Sequence, residues 1–115
     1  MATILDAALD DLIARVRAHY GTRTGAIFRV DRTRHMEELD QSDAEIVVLI
    51  ADGAWRSIDE HRNLAKLTFD TLMEHEVYIR AWPVPASAWL DPAQAEHPHL
   101  VLEFQSTAQV LLAAA

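Results

Sequence analysis

AIFRVDRTRHMEELDQSDAEIVVLIAD, residues 26–52, joins a short apolar run to a longer one through a basic and then an acidic segment. Residues 26–30 are predicted as a strand, half exposed because Arg29 interrupts the apolar run. The second run, EIVVLIA at 45–51, is β-branched and almost continuously apolar, which predicts a central strand covered on both faces. Residues 31–42 are polar and read as a loop with a helical turn around 36–39. Asp43 and Glu45 open the second run two positions apart, and the period-two geometry of a strand sends both side chains to one face. Carboxylates that close repel unless a metal ion or an arginine sits between them. Strand, loop, acid-x-acid, strand is also a layout used by metal-dependent phosphate chemistry.

Outward from this stretch the patterns alternate. Leu5, Leu9, Leu12, Ile13 and Val16 recur at helical spacing and predict a helix over 4–19, with Thr3 suited to cap it and Gly21 to stop it. Gly21-Thr22-Arg23-Thr24-Gly25 reads as a turn. After the turn at Asp52-Gly53, Ser57-Ile58-Asp59-Glu60 matches a capping box and predicts a helix from about 58 to 74. Ile58, Leu64, Ala65, Leu67, Phe69, Leu72 and Met73 would be its apolar face. A third strand is expected over 77–82, ended by Pro83-Val84-Pro85. A short helical turn at 86–90, a helix over 98–106, and an edge strand or helix end at 110–112 complete the order. The expected fold class is α/β (α+β): one domain, 1–115, with helices packed on a small mixed sheet.

Bulk composition narrows the function. The chain has 115 residues, enough for one core. It contains no cysteine, which removes disulfides, thiolate metal sites and cysteine nucleophiles. Acids stand near the N-terminus where a signal peptide carries bases, and no apolar run reaches spanning length, so a cytoplasmic protein that leaves membranes alone is expected. The net charge of −8 argues against nucleic-acid binding. Six of the ten basic residues, Arg15, Arg17, Arg23, Arg29, Arg32 and Arg34, nevertheless cluster ahead of five acids, Glu37, Glu38, Asp40, Asp43 and Glu45. That pattern is either a solvated mixed surface or a bipolar site for a metal–phosphate ligand or a charged protein partner. His35 reads as a surface residue and His97-Pro98-His99 as a polar helix entry. His61 and His75 are too far apart along one helix to share an ion. Trp55, Trp82 and Trp89 are expected in packing, because no basic stripe accompanies them as a base-stacking site would need.

The motif residues resemble a family. Tyr20-Gly21 ahead of Ala26-Ile27-Phe28, Ser42-Asp43-Ala44-Glu45-Ile46-Val47-Val48-Leu49, LAKLTFDTLMEHEV at 64–77, and Trp82-Pro83-Val84-Pro85-Ala86-Ser87-Ala88-Trp89 resemble MNT-type minimal nucleotidyltransferases of the DNA polymerase β-like superfamily. A last helix ending near Gln105 stands where the family has its short C-terminal helix. The resemblance covers nearly the whole chain. It implies a phosphate cradle at the end of the first strand, magnesium on an acid pair, often a third carboxylate on a neighbouring strand, and ATP as nucleotide. By that resemblance Asp43 and Glu45 are the metal-binding and catalytic residues. Positions Arg29 and Val30, with Arg32 and Arg34 beyond them, take the place of the cradle.

This chain departs from the family where the chemistry is done. Arg29 and Val30 stand in place of the family's Gly-Ser, and neither gives the close backbone approach that glycine allows. Glu45 replaces the second aspartate, and Glu76, near the expected third strand, is a weak match to the third acid. Arg29, Arg32 and Arg34 either pair with phosphate or neutralise the acids in an empty site. The expected function is therefore a degenerate nucleotidyltransferase-fold protein acting as a protein-binding module. By resemblance its partner is a helical HEPN-type protein, as for an antitoxin, or a second copy of itself joined at a sheet edge. The alternative is an active Mg2+-dependent enzyme that moves AMP from ATP to a protein or small-molecule acceptor.

Overall fold

The structure, a computed structural model, describes residues 3–31 and 42–113. The loop with its helical turn at 36–39, together with Arg32, Arg34 and His35, lies outside the described residues.

The first helix, α1 (Ile4–Tyr20), starts where its cap allows. Thr3 Oγ1 accepts the Asp6 N–H at 3.0 Å, and Asp6 Oδ2 accepts the Thr3 N–H at 3.0 Å, so two amides without intrahelical partners are satisfied reciprocally. It stops at Gly21, whose φ of 57° is costly for residues with a Cβ. Its buried stripe is Ala8, Leu9, Leu12, Val16 and Tyr20, with Leu5 and Ile13 half-buried beside it.

Among the described residues four strands form one mixed sheet of order β3-β2-β1-β4. Strand β2 (Ala44–Ile50) is central and buried at all seven positions, as its apolar run requires of every one but Glu45. It pairs antiparallel with β1 (Thr24–Val30) and parallel with β3 (Ile79–Pro85). The last strand, β4 (Gln109–Leu112), lies antiparallel on the outer side of β1, so the segment at 110–112 is an edge strand.

β1 begins two residues earlier than expected. The register with β2 slips between Thr24 and Ile27, placing two residues opposite one. Gly25 makes this possible, since a Cβ there would lie 2.9 Å from the Leu49 carbonyl oxygen and 3.1 Å from Leu49 Cβ.

β3 departs further, starting later than 77 and running through the Pro83-Val84-Pro85 that was expected to end it. Its start is delayed because Tyr78 donates its N–H to the Asp43 side chain, at 2.9 Å, and not to a strand ladder. Its prolines are tolerated because β3 is an edge strand. Pro83 and Pro85 lie in register with Val48 and Ile50, and an edge strand needs no outward N–H donors.

Helix α2 (Ser57–His75) crosses between the parallel strands β2 and β3. The capping box does not form: Arg56 is the N-cap, no side chain caps it, and Glu60 is drawn into the interior. The apolar face is also narrower than expected. The buried positions are Glu60, Leu64, Leu67, Thr68 and Thr71, one helical stripe, with Leu72 half-buried. Ile58, Ala65, Phe69 and Met73 fall on the far side of the helix and are exposed.

Two shorter helices follow, α3 (Ala86–Leu90) and α4 (Pro98–Thr107). His97-Pro98-His99 forms the entry to α4, with Pro98 at its first position, where the missing N–H is harmless. The helices cover the sheet on two sides. Leu12 and Val16 of α1 and Leu64 of α2 pack with Ile27, Ile46, Val48 and Ile79 on one face. Ala88 of α3 and Val101 and Phe104 of α4 pack with Ala26, Val30, Val47 and Val84 on the other. The tryptophans pack as expected: Trp55 against the first core, Trp82 and Trp89 against the second.

Candidate functional site

Asp43 stands just ahead of β2 and is exposed. Its Oδ2 accepts the Tyr78 N–H at 2.9 Å, and its own N–H donates to the Tyr78 carbonyl at 2.8 Å. The side chain thereby ties the entry of β2 to the entry of β3.

Glu45, the second residue of β2, is only 4% exposed. It lies in register between Val30 of β1 and Arg80 of β3. It shares a strand face with Val47 and Leu49 of the second core, and its Oε2 accepts the Trp82 indole N–H at 2.6 Å. The Arg80 guanidinium lies 4.7 Å from the centre of the Trp82 ring. Glu45, Arg80 and Trp82 are thus gathered at one corner of the sheet.

The expected cradle residues separate. Arg29 and Val30 are consecutive in β1 and point to opposite faces. Val30 is buried in the second core, on the face that carries Glu45, so Arg29 is directed to the other face.

Two charged groups gather elsewhere. Glu60, 2% exposed, accepts the Tyr20 hydroxyl at 2.9 Å, an Arg23 guanidinium N–H at 3.1 Å and the Asn63 amide at 3.2 Å. Burial pushes the Glu60 carboxyl up, but the bonds from Tyr20, Arg23 and Asn63 outweigh it and hold the group below the ordinary glutamate range. Burial, with the Glu60 charge beside it, raises Tyr20 well above an ordinary phenol. Asp11, Glu74 and His75 form a group that could hold a metal ion, and Arg15 sits within it. Arg15 Nε donates to Asp11 Oδ2 at 2.7 Å and its NH2 bonds Glu74, while His75 Nε2 lies 3.5 Å from Asp11 Oδ2. Burial pushes Asp11 up, and hydrogen bonding and charge from Arg15 hold it low. Sequence reading missed both groups. Arg15 following Asp11 by four positions was the visible signal of the second group; the first joins residues up to forty positions apart and had none.

A concavity among the described residues lies along the edge strand β3, from Trp82 to Pro85, and reaches Asp52 just past the carboxyl end of β2. It is a cleft of about 550 Å³. Its floor holds Trp82, Val101 and Phe104, and its rim takes in Asp52, the first turn of α2 and the segment before α4. A neighbouring hollow of about 470 Å³ shares Trp82, Glu96, His97 and Leu100. His61 approaches the Trp82 ring edge-on at 6.4 Å. Neither Asp43 nor Glu45 lines the cleft; Trp82, held by Glu45, is the link between the two places.

Among the described residues no helix is long and apolar enough to cross a membrane. Compared with protein-family models, curated proteins and solved structures, the chain matches none of them.

Proposed function

We propose that this chain is a protein-binding module in which a nucleotidyltransferase-like frame is put to recognition. The observation that carries the reading is the outer face of α2. Ile58, Phe69 and Met73 are 61%, 56% and 61% exposed, and with Ala65 they form a stripe along the side turned away from the core. Three large apolar side chains in one line on a surface helix are the usual mark of a helix-docking face. A small helical partner of the HEPN type, implied by the resemblance, would lay an apolar helix face along it.

The acid pair supports the same reading. Glu45 is buried and holds an indole N–H, and Asp43 holds a backbone N–H. Magnesium asks for near-octahedral oxygens and keeps several of its waters, and a buried glutamate bound to an indole gives those waters little room. Val30, buried in a strand, offers no phosphate cradle.

The test has two arms. Co-expression with a HEPN-type helical protein should give a complex that survives size exclusion, and Phe69→Glu with Met73→Glu should abolish it while the domain stays folded. Mg2+ with ATP should leave the melting temperature unchanged. A ligand that binds only the folded chain adds about 2.7 kcal/mol at a hundred times its dissociation constant, which is easily read. Transfer of label from α-labelled ATP to any acceptor, lost in Asp43→Ala, would replace this proposal with the Mg2+-dependent transferase.

A further inference from the structure

The cleft along β3 has a chemistry of its own. Its size of about 550 Å³ falls within the range of small-molecule sites. Trp55 and Trp82, both half-buried, supply the aromatic surface, with Phe104 buried behind it and the Arg80 guanidinium over the Trp82 ring. Among the described lining residues Asp52 and Glu96 are carboxylates and His61 and His97 are imidazoles, and there is no lysine or arginine.

Hydrogen-bonding capacity is skewed the same way. Pro83 and Pro85 bring carbonyl acceptors to the wall and no N–H donors. Ser87, which would otherwise donate into the cleft, gives both its backbone N–H, at 3.1 Å, and its hydroxyl to Asp52. The amino end of α2 reaches the rim at Ser57, but Asp59 and Glu60 in its first turn offset the positive end of the helix dipole. A phosphate or carboxylate entering here would find side-chain donors on Ser57, His61, Gln94 and His97, but also the like charges of Asp52 and Glu96 and no lysine or arginine among the described lining residues. A flat ring carrying an ammonium group would meet the Trp55 ring, carbonyl oxygens and the charges of Asp52 and Glu96.

We infer that this cleft binds a small flat aromatic amine, and discriminates against aromatic acids and phosphate esters of similar size. The site adjoins the amino end of the outer face of α2 at Ser57 and His61 but shares no residue with the stripe of Ile58, Ala65, Phe69 and Met73, and it does not depend on the partner proposed for that stripe. It requires neither Asp43 nor a metal ion.

The probes are tryptamine, indole and indole-3-acetate, which share one ring and differ in charge. Each is titrated into the full ¹⁵N-labelled chain while the indole N–H signals of Trp55, Trp82 and Trp89 are followed by NMR. Tryptamine and indole should shift the Trp55 and Trp82 signals saturably, with indole-3-acetate weaker than tryptamine by about tenfold or more. Gln94→Trp, at an exposed lining position, should obstruct the cleft and weaken all three probes together. Glu96→Gln, also exposed, should leave indole unchanged and narrow the gap between amine and acid. The inference is overturned if indole-3-acetate binds as tightly as tryptamine. It is equally overturned if no probe shifts Trp55 or Trp82 at millimolar concentration, or if a folded Gln94→Trp chain binds all three unchanged.

Discussion

Glu60 is a carboxylate that the local sequence assigns to a helix cap and the tertiary structure assigns to a tyrosine forty positions away. Its folded form is held below the ordinary glutamate value of about 4.3. A depressed carboxyl contributes stability that is complete above the unfolded value and is lost as pH falls through the folded one. Tyr20 has the opposite sign: its raised phenol contributes fully below about pH 10 and loses that contribution as pH rises through the folded value. We expect Tyr20→Phe to cost about 1–3 kcal/mol near neutrality and to flatten the alkaline fall in urea midpoint. Glu60→Gln should flatten part of the acid fall and leave the share that belongs to Asp11, which Arg15 also holds low. Equal pH profiles for wild type and both variants would show that the buried cluster does not set them.

At the scale of elements, two backbone positions carry measurable costs. Gly25 sits in the β1 bulge against the Leu49 backbone, so Gly25→Ala must push the strands apart; a loss of about 1–3 kcal/mol is expected in denaturant melts. Glu76 ends α2 at φ 57°, left-handed, and is the single non-glycine residue with positive φ among the described ones. Glu76→Gly should raise stability by up to about 1 kcal/mol, because glycine adopts that geometry without a Cβ penalty. A destabilised Glu76→Gly chain would mean that the glutamate side chain outweighs the strain.

The same elements show what the sequence could tell. β2 was legible because six apolar residues in a row, Ile46 to Ala51, mostly β-branched, admit few alternatives to a central strand. The end of β3 was not, because proline stops a strand only where both edges are paired, and edge position is a property of the sheet. In α2 the apolar residues surround most of the helix, so composition could not say which side would meet the sheet. At the candidate site, Asp43 and Glu45 were visible as a pair. The Trp82 N–H that Glu45 receives and the Tyr78 N–H that Asp43 receives depend on how β3 lies beside β2.

For the whole molecule, the two cores and the outer α2 stripe respond differently to mutation. Phe69→Glu and Met73→Glu change exposed residues and should leave the unfolding free energy within about 0.5 kcal/mol. Phe104→Ala, in the buried second core, should cost about 3–5 kcal/mol by urea unfolding. If the surface pair proved as damaging as the core change, the stripe would belong to the folding of this domain and not to recognition.

The placement of Pro83 and Pro85 has a last consequence, for how copies of this chain can add to one another. One border of the sheet, β3, cannot accept a further strand along those positions, while the other border, β4, carries Val110 and Leu111 outward. Growth from strand to strand needs two receptive borders on every copy, and among the described residues each copy offers one. Joining through β4 therefore closes after two chains, and a fibre built by edge addition is blocked by two pyrrolidine rings.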